Sequence, residues 1–293
     1  MKKLFVVGTG PGEKKYFTQE ALCALEESQV IAGYKVYVDL VKKIFPNKVF
    51  YSNGMTGELD RCFFALSQAA LGKTVSLVCS GDSGIYAMAS LILELAGKEY
   101  KPRDFEVADS NTKSDSALRD SADFSKSGDF SDVEIEIVCG VTAAIAGAAI
   151  LGSPLTNDFA VISLSDRLTS PARIEKRLRA AASGDFCVAL YNPRSSLRPC
   201  ALKNACRVLL ETLSPETICG FVKNIGRGAT ERKIETLSEL ENEEVDMFTT
   251  VFIGNSATKL IKKNGELFMV TTRGYENRGN FLAENRLQSE REK

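Results

Sequence analysis

Four short runs in this 293-residue sequence combine glycine with polar side chains, and each follows an apolar run of strand length: GTGPG at 8–12, SGDSGIY at 80–86, CGVTAA at 139–144 and YNPRS at 191–195. Sheets built from alternating strands and helices bind their ligands at the carboxyl ends of their strands. We therefore expect these four runs to line one binding cleft, with contributions from both halves of the chain.

The first run has the spacing G-x-G-x-G, whereas a dinucleotide fingerprint reads G-x-G-x-x-G and an ATP-binding loop ends in G-K-[ST]. Pro11 also removes a backbone donor from the turn. Three glycines in five positions indicate a close approach to the backbone, although a tight turn without a ligand has the same composition. The spacing disfavours a phosphate-bearing cofactor.

Two polar residues in the second and third runs each have two possible roles. Asp82 could offer a carboxylate to ribose hydroxyls or to an ammonium group, or it could cap the following helix. Thr142 could likewise cap a helix or present its hydroxyl to a ligand. The residue types alone leave both alternatives open.

The chain contains no histidine. This excludes Ser-His-Asp triads, H-E-x-x-H zinc sites and histidine acid–base catalysis. Proton transfer would then depend on carboxylates, tyrosines or lysines. The candidates beside the expected cleft are Asp82, Tyr86, Tyr191 and Lys223.

The eight cysteines show no C-x-x-C spacing, so we expect no metal site. Cys79, Cys139, Cys187 and Cys219 lie in apolar, strand-like runs. They are expected to be buried, reduced thiols, as is typical of a cytoplasmic protein.

The charges are balanced, with 37 Lys and Arg against 38 Asp and Glu, and they are spread along the chain. No concentrated positive field results, so we expect neither a nucleic-acid nor a membrane partner. The apolar run 4–7 is typical of a strand rather than of a signal peptide. Glycines and a proline interrupt the longest apolar stretch, 138–155, which disfavours a membrane span.

Strand-length apolar runs alternate with helix-period segments, which predicts an α/β fold with a largely parallel sheet. The predicted strands are 4–7, 30–33, 74–79, 134–138, 159–165, 186–192, 218–224, 247–254, an edge strand around 233–237, and 268–275. The predicted helices are 18–28, 58–71, 85–98, 142–152, one that begins at Ser170 and Pro171, and one from Pro199 to about 213.

We predict two α/β domains, 1–154 and 155–276. Residues 108–132 are rich in serine, aspartate and lysine, and such a composition cannot offset the entropy of ordering, so we interpret them as a mobile insert in the first domain. Residues 277–293 form a polar tail.

Six runs occur in order: the four above, VKNIGR at 222–227 and TTVFIGNS at 249–256. Together they resemble the tetrapyrrole methylase family, whose members use S-adenosylmethionine. Within it, YNPRS, NIGR, FIGNS and the closing TTRGY look like the branch that methylates C17 of a corrin precursor in cobalamin synthesis. The resemblance covers most of residues 1–276, apart from 108–132.

This resemblance implies two α/β domains of the class III methyltransferase type with the active-site cleft between them. The glycine turn then shapes the cleft rather than cradling phosphate. The positions matching the family's cofactor residues are Gly10, Pro11, Gly81, Asp82, Ile85, Tyr86, Thr142, Ala143, Tyr191, Ile225 and Thr250. The sequence departs from the family's third run at Cys139, where proline is usual, and this is expected to loosen that turn.

The resemblance also implies methylation at C17 with contraction of the macrocycle, on a metal-free or a cobalt-bearing substrate, and a homodimer. The substrate is a polycarboxylate, so Arg194 and Arg227, in turns beside the expected cleft, are its candidate partners. Three alternatives stay open: a sibling methylase acting at another ring carbon, a non-catalytic tetrapyrrole-binding protein, and a nicotinamide-dependent oxidoreductase. The spacing of the first glycine turn disfavours the last.

Overall fold

The computed structural model of the chain describes residues 2–97 and 130–275. The predicted mobile insert lies outside the described residues up to residue 129, and the polar tail lies outside them entirely. The chain divides into two compact units, Met1–Ala143 and Ala144–Lys293. The division falls before the domain boundary that we predicted at residue 154, so the whole of the helix that follows residue 142, except its first residue, belongs to the second unit.

The first unit contains one five-stranded sheet, with strand order β3-β2-β4-β1-β5 and every pairing parallel. Its strands are β1 (Lys3–Gly8), β2 (Val30–Tyr34), β3 (Val49–Asn53), β4 (Thr74–Cys79) and β5 (Glu134–Val138). Its described helices are a 3-10 turn (Lys14–Tyr16), α1 (Gln19–Glu27), α2 (Lys35–Lys42), α3 (Glu58–Ala70) and α4 (Ala89–Ala96).

Alternating side chains of the interior strand β1 enter two separate cores. Leu4 and Val6 pack with helices α3 and α4, whereas Phe5 and Val7 pack with α1 and α2. Burying each such side chain contributes roughly 1.5–3 kcal/mol. The first unit is therefore a three-layer α/β/α sandwich, and because all its strands are parallel, the turns that follow them open at one edge of the sheet.

The second unit contains a five-stranded sheet of order β10-β9-β11-β8-β7 and a three-stranded sheet of order β12-β13-β6. Its strands are β6 (Gly152–Ser153), β7 (Phe159–Ser163), β8 (Cys187–Tyr191), β9 (Ile218–Lys223), β10 (Glu231–Thr236), β11 (Thr249–Ile253), β12 (Thr258–Lys263) and β13 (Glu266–Thr271). Its described helices are α5 (Ala143–Leu151), α6 (Pro171–Ser183), α7 (Ala201–Leu209) and α8 (Leu237–Leu240).

The prediction of a largely parallel sheet is confirmed for the first unit and wrong for the second. Strand β11 runs antiparallel to both β8 and β9, and β10 runs antiparallel to β9. Only β7 and β8 are parallel in this sheet. The turn between β9 and β10 is too short for the helical crossover that a parallel pair requires, so these strands form a hairpin. Strand β10 does lie at the sheet edge, as predicted.

The two faces of the larger second sheet are covered differently. Helices α6, α7 and α8 fill one face with residues such as Leu178, Leu209 and Leu240. Helix α5 packs on the other face, where an added Cβ on Gly147 would meet the Phe252 ring at 2.8 Å. The glycine thus permits the helix to approach the sheet.

Three local predictions are wrong. The helix predicted for 85–98 begins only at Ala89, because the backbone of Tyr86 is left-handed with φ 52°. Helix α7 begins at Ala201, so Pro199 precedes its first turn instead of lying in it. Cys139 is exposed rather than buried, because the chain has left strand β5 at Val138.

Candidate functional site

In the first unit, the turns after β1 and β4 are joined through their backbones. The Gly10 amide donates to the Gly81 carbonyl at 3.0 Å, and the Gly81 amide donates to the Gly10 carbonyl at 2.7 Å. The Thr9 amide is bound to the Cys79 carbonyl at 2.9 Å, and Pro11 has no amide hydrogen. These three positions of the glycine turn therefore offer no amide to a phosphate group.

A third turn, after β5, approaches the other two. A Cβ added to Gly140 would lie 2.2 Å from the Gly81 carbonyl oxygen and 2.6 Å from the Gly8 carbonyl carbon. Gly10 and Gly81 have φ of 71° and 70°, in the left-handed region that favours glycine. The group that approaches these glycines so closely is thus the chain's own backbone.

Asp82 ties the second turn to the third. Its Oδ1 accepts from the Gly84 amide at 2.8 Å, and its Oδ2 accepts from the Gly140 amide at 2.9 Å. The alternative role as a helix cap is wrong, because α4 begins at Ala89 and Met88 occupies its N-cap position. The Asp82 carboxylate thus connects the turn after β4 to the turn after β5. Each of its oxygens keeps a second lone pair that can accept another hydrogen bond.

Ile85 and Tyr86 follow Asp82 and present large apolar surface to solvent, with 41% and 53% of their surface exposed. Holding a tyrosine in the left-handed region costs roughly 1–2 kcal/mol. Strained, exposed side chains of this kind concentrate at ligand sites.

Thr142 and Ala143 lie beside the same turn, and both are half-buried. An added Cβ on Gly81 would lie 3.6 Å from the Thr142 Cα and 3.9 Å from the Ala143 amide nitrogen. Pro11 is buried. The structure therefore brings together, around the turns after β1, β4 and β5, six of the eight predicted cofactor residues of the first unit: Gly10, Pro11, Gly81, Asp82, Thr142 and Ala143. The other two, Ile85 and Tyr86, follow Asp82 along the chain.

The cofactor residues predicted in the second unit lie near helix α5. The Tyr191 hydroxyl accepts from the Ala144 amide at 2.8 Å, in the first turn of that helix. Thr250 is two residues from Phe252 on strand β11, so both side chains point to the same sheet face, which α5 covers. An added Cβ on Gly147 of α5 would meet Ile225 at 3.2 Å.

The remaining candidates differ in their electrostatic surroundings. Lys223 is paired with Asp246 at 3.2 Å. The guanidinium of Arg227 lies 5.1 Å from the centre of the Phe248 ring. Arg194 lines a cavity of about 280 Å³ in an acidic setting. The glutamates that share this cavity are Glu241, Glu243 and Glu244.

All eight cysteines are free thiols. Burial raises the pKa of Cys79 to about 11 and that of Cys206 to about 12. In the part of the chain that the structure describes, no three potential metal ligands converge. Over the same residues, no helix is long and apolar enough to cross a lipid bilayer.

Two features of the first unit were not predicted from the sequence. Gly140 was given no role, although this glycine is the contact point of three turns. Arg61, which is buried in helix α3, was also given none. The burial of Arg61 could have been predicted from its position, because this charged residue lies beside the apolar positions of an amphipathic helix.

The chain thus contains one parallel sheet whose strand-end turns are joined through glycines, and a second unit with a mixed sheet. The chain matches the profile of the family Tetrapyrrole (Corrin/Porphyrin) Methylases over residues 3–108 and 127–241. It belongs to this family, and the family resemblance of the six sequence runs is thereby confirmed.

Two relatives illustrate the match. The chain is 39% identical over 272 residues to the probable cobalt-factor III C(17)-methyltransferase of Salmonella typhimurium, covering 93% of this chain and 99% of that protein. It is 39% identical over 275 residues to the cobalt-factor III methyltransferase of Priestia megaterium, covering 94% of this chain. The chain spans only 45% of that longer protein.

A solved structure, that of the methyltransferase CobJ, resembles the fold with a TM-score of 0.72 and 33% sequence identity. The match covers 90% of this chain and 98% of that one. The predicted two-part α/β fold of the tetrapyrrole methylase type is confirmed.

Proposed function

We propose that this chain transfers the methyl group of S-adenosylmethionine to C17 of a corrin precursor, and that the macrocycle contracts in the same reaction. The substrate is cobalt-factor III, which gives cobalt-precorrin-4 with two electrons from a separate reductant, or its metal-free counterpart precorrin-3B, which gives precorrin-4.

One observation carries this proposal: the similarity to the Salmonella relative extends over 99% of that protein. The runs YNPRS, NIGR, FIGNS and TTRGY, which singled out the C17 branch, all lie within residues that the structure describes. A sibling methylase would share the glycine turn but would not need these runs.

The first unit has features that suit a methyl donor without phosphates. The amides of Thr9 and Gly10 are used within the protein, so the turn is unsuited to a nucleotide phosphate. Exposed Ile85 and Tyr86 offer apolar surface beside the turn for the adenosine and methionine parts of the donor. When bound, S-adenosylmethionine supplies an electrophilic methyl group on a sulfonium. Positioning alone can lower such a barrier by roughly 7–11 kcal/mol, so the lack of histidine is no obstacle.

The donor site that we propose retains the predicted residues of both units. Gly10, Pro11, Gly81 and Asp82 shape its rim, with Thr142 and Ala143 beside them. Tyr191, Ile225 and Thr250 are the positions that we propose from the second unit, where Tyr191 also fixes the start of helix α5.

Ring contraction requires proton transfer, and four groups were candidates. Asp82 is held by two amides, Lys223 is paired with Asp246, and the Tyr191 hydroxyl accepts from Ala144. All four stay candidates in this proposal, and Tyr86 differs from the others in that it lies exposed on a strained backbone.

Of the two arginines expected to bind substrate carboxylates, Arg227 suits that role better. Its guanidinium lies against the Phe248 ring and so keeps a fixed plane for a carboxylate. Arg194 shares its cavity with Lys203 and three glutamates, of which Glu241 and Glu243 are paired with cations, so its surroundings are less positive than those of an isolated arginine.

The decisive experiment incubates the purified chain with methyl-labelled S-adenosylmethionine and, separately, with cobalt-factor III plus a two-electron chemical reductant and with precorrin-3B. Mass spectrometry should show one added methyl group on one of them, and nuclear magnetic resonance should place it at C17 of a contracted ring. Label on another carbon would indicate a sibling methylase. Tetrapyrrole binding without transfer, together with no calorimetric affinity for S-adenosylhomocysteine, would indicate a non-catalytic binding protein.

We also propose a cytoplasmic homodimer that uses neither nucleic acid nor membrane as a partner. The family resemblance supports the dimer, and the balanced charges support the absence of polyanionic partners. Light scattering coupled to size-exclusion chromatography should give twice the 31.9 kDa chain mass.

A further inference from the structure

A buried arginine lies where strands β2 and β3 end. Arg61 of helix α3 exposes only 3% of its surface. Its Nε donates to the Gly57 carbonyl at 3.1 Å, and its Nη2 donates to the Gly54 carbonyl at 2.7 Å. The guanidinium carbon lies 5.7 Å from the centre of the Tyr34 ring. The positive charge is therefore surrounded by carbonyl dipoles and an aromatic ring.

Within residues 2–97 and 130–275, no carboxylate pairs with Arg61, and its Nη1 makes no hydrogen bond. By contrast Arg179, on the exposed face of helix α6, is bound by Glu175 and Glu211. Removing a charge from water costs several kcal/mol unless an opposite charge compensates it. A buried guanidinium without a counter-ion is therefore suited to an anion that comes from outside the chain.

Asn53, the last residue of β3, adds a second observation. It is 5% exposed, and its Nδ2 donates at 2.8 Å to the Gly57 carbonyl, which also accepts from Arg61. Its Oδ1 is buried and has no hydrogen-bond partner among the described residues. Such an unpaired acceptor costs about 1–3 kcal/mol. This corner of the unit thus holds an uncompensated cation beside an unsatisfied acceptor.

The corner lies at the same sheet edge as the proposed donor site. Strand β2 pairs with β4, which leads into the turn that contains Gly81 and Asp82, and β3 pairs with β2. Neighbouring strands are about 4.8 Å apart, so the ends of β2 and β3 lie roughly 5 Å and 10 Å from the end of β4. A macrocycle bound beside that turn would extend over both strand ends.

We propose that Arg61 binds a peripheral carboxylate of the tetrapyrrole, through Nη1 and the remaining Nη2 hydrogen, and so helps to select and orient the substrate. The inference rests on the proposed function. The Gly54 and Gly57 carbonyls accept from the guanidinium, and glycine at both ends of residues 54–57 allows this backbone to move and admit the carboxylate.

The test compares Arg61→Gln and Arg61→Lys with the unaltered chain. A charge-assisted hydrogen bond is worth about 1.5–3 kcal/mol, so Arg61→Gln should raise the Kd and the KM for the tetrapyrrole about tenfold to hundredfold. Arg61→Lys keeps the charge without the planar fork and should give an intermediate Kd. The Kd for S-adenosylhomocysteine should change less than about twofold in both variants.

Two controls separate substrate binding from maintenance of the loop. Asn53→Ala removes a hydrogen bond to Gly57 without changing the charge, and Arg173→Gln removes an exposed arginine of helix α6. Both should leave the tetrapyrrole Kd nearly unchanged. Equal weakening by Asn53→Ala and Arg61→Gln would overturn the proposal, because loop geometry would then explain both effects. An unchanged Kd in Arg61→Gln would also overturn it.

Binding of the tetrapyrrole is measured by absorbance titration without methyl donor, so the result does not depend on turnover. If the unaltered chain binds the tetrapyrrole but transfers no methyl group to it, the proposed function fails while the role of Arg61 is still decided by the Kd values. If Arg61→Gln fails to fold, as judged by its thermal melting, Arg61→Lys decides the question.

Discussion

Gly10 and Gly81 exchange two backbone hydrogen bonds, at 3.0 and 2.7 Å, although seventy residues of chain separate them. The amides of both glycines are therefore hydrogen-bonded within the protein. The glycine-rich turn is thus a structural joint between two strand ends. This explains why a sequence that superficially resembles a nucleotide-binding loop belongs to a family of methylases.

Gly140→Ala should damage this joint. The new methyl group would overlap the backbones of Gly81 and Gly8, which cannot give way as a flexible side chain can. We expect the free energy of unfolding, measured by urea denaturation, to fall by about 2 kcal/mol or more. Gly54→Ala is the matched control, because an added Cβ there meets nothing within 4 Å, and its effect should stay within about 1 kcal/mol. Equal stability of the two variants would contradict the close-packed joint.

Asp82→Ala removes the acceptor of two amides, those of Gly84 and Gly140. Each amide left unpaired costs about 1–3 kcal/mol where water cannot replace the carboxylate. We expect a lower melting temperature and weaker binding of S-adenosylhomocysteine by calorimetry. Asp82→Asn keeps one acceptor oxygen and should lie between Asp82→Ala and the unaltered chain. Unaltered binding in both variants would show that Asp82 does not organise the site.

Tyr86→Asn separates stability from function. Asparagine tolerates the left-handed backbone better than tyrosine does, and the replaced side chain is half exposed, so thermal stability should be unchanged or higher. Affinity for S-adenosylhomocysteine should nevertheless fall, and methyl transfer should be lost. Leu168→Asn, at a fully exposed position outside the six runs, should alter none of these quantities. A fully active Tyr86→Asn variant would remove Tyr86 from the site.

The cysteines should fall into two reactivity classes. Cys23, Cys139 and Cys200 are exposed, and iodoacetamide at pH 8 should modify them first, as peptide mass spectrometry would show. Buried thiols such as Cys79 should react only after unfolding, because burial raises the pKa of Cys79 to about 11 and leaves little thiolate. Rapid modification of Cys79 in the folded chain would contradict its position in the core.

The same raised pKa predicts how stability depends on pH. An unfolded cysteine ionises near pH 8.5, whereas Cys79 in the folded chain holds its proton up to about pH 11. Between these values the folded state binds more protons, so the Cys79 contribution makes the free energy of unfolding fall as pH rises. Cys79→Ala should flatten this part of the pH profile, whereas Cys23→Ala, at an exposed position, should not.

Local signals predicted much of the fold. The apolar runs that became β1 and β4 are long and bounded by turn residues, and the Thr18 hydroxyl caps helix α1 by accepting from the Ala21 amide. Where local and tertiary preferences disagree, the sequence was less informative. No element was predicted across 35–57, yet Lys35–Lys42 is helical because Val38 and Val41 pack into a core formed by distant residues.

The candidate site was predicted as a set of residues but not as a set of roles. Glycine spacing indicated that a group comes close to the first turn, but only the paired backbones of Gly10 and Gly81 identify that group. Asp82 suited a helix cap as well as a ligand, since its actual partner, Gly140, lies far along the chain. The left-handed backbone of Tyr86 is imposed by the fold and has no signature in the residue itself.

Strand β10 borders the larger sheet of the second unit, and four of its six residues are charged: Glu231, Arg232, Lys233 and Glu235. An edge strand of this kind could otherwise pair with a strand from another molecule, as happens when proteins aggregate. Charged side chains in this position disfavour such pairing. The composition of β10 thus also discourages the sheet from extending into a second molecule.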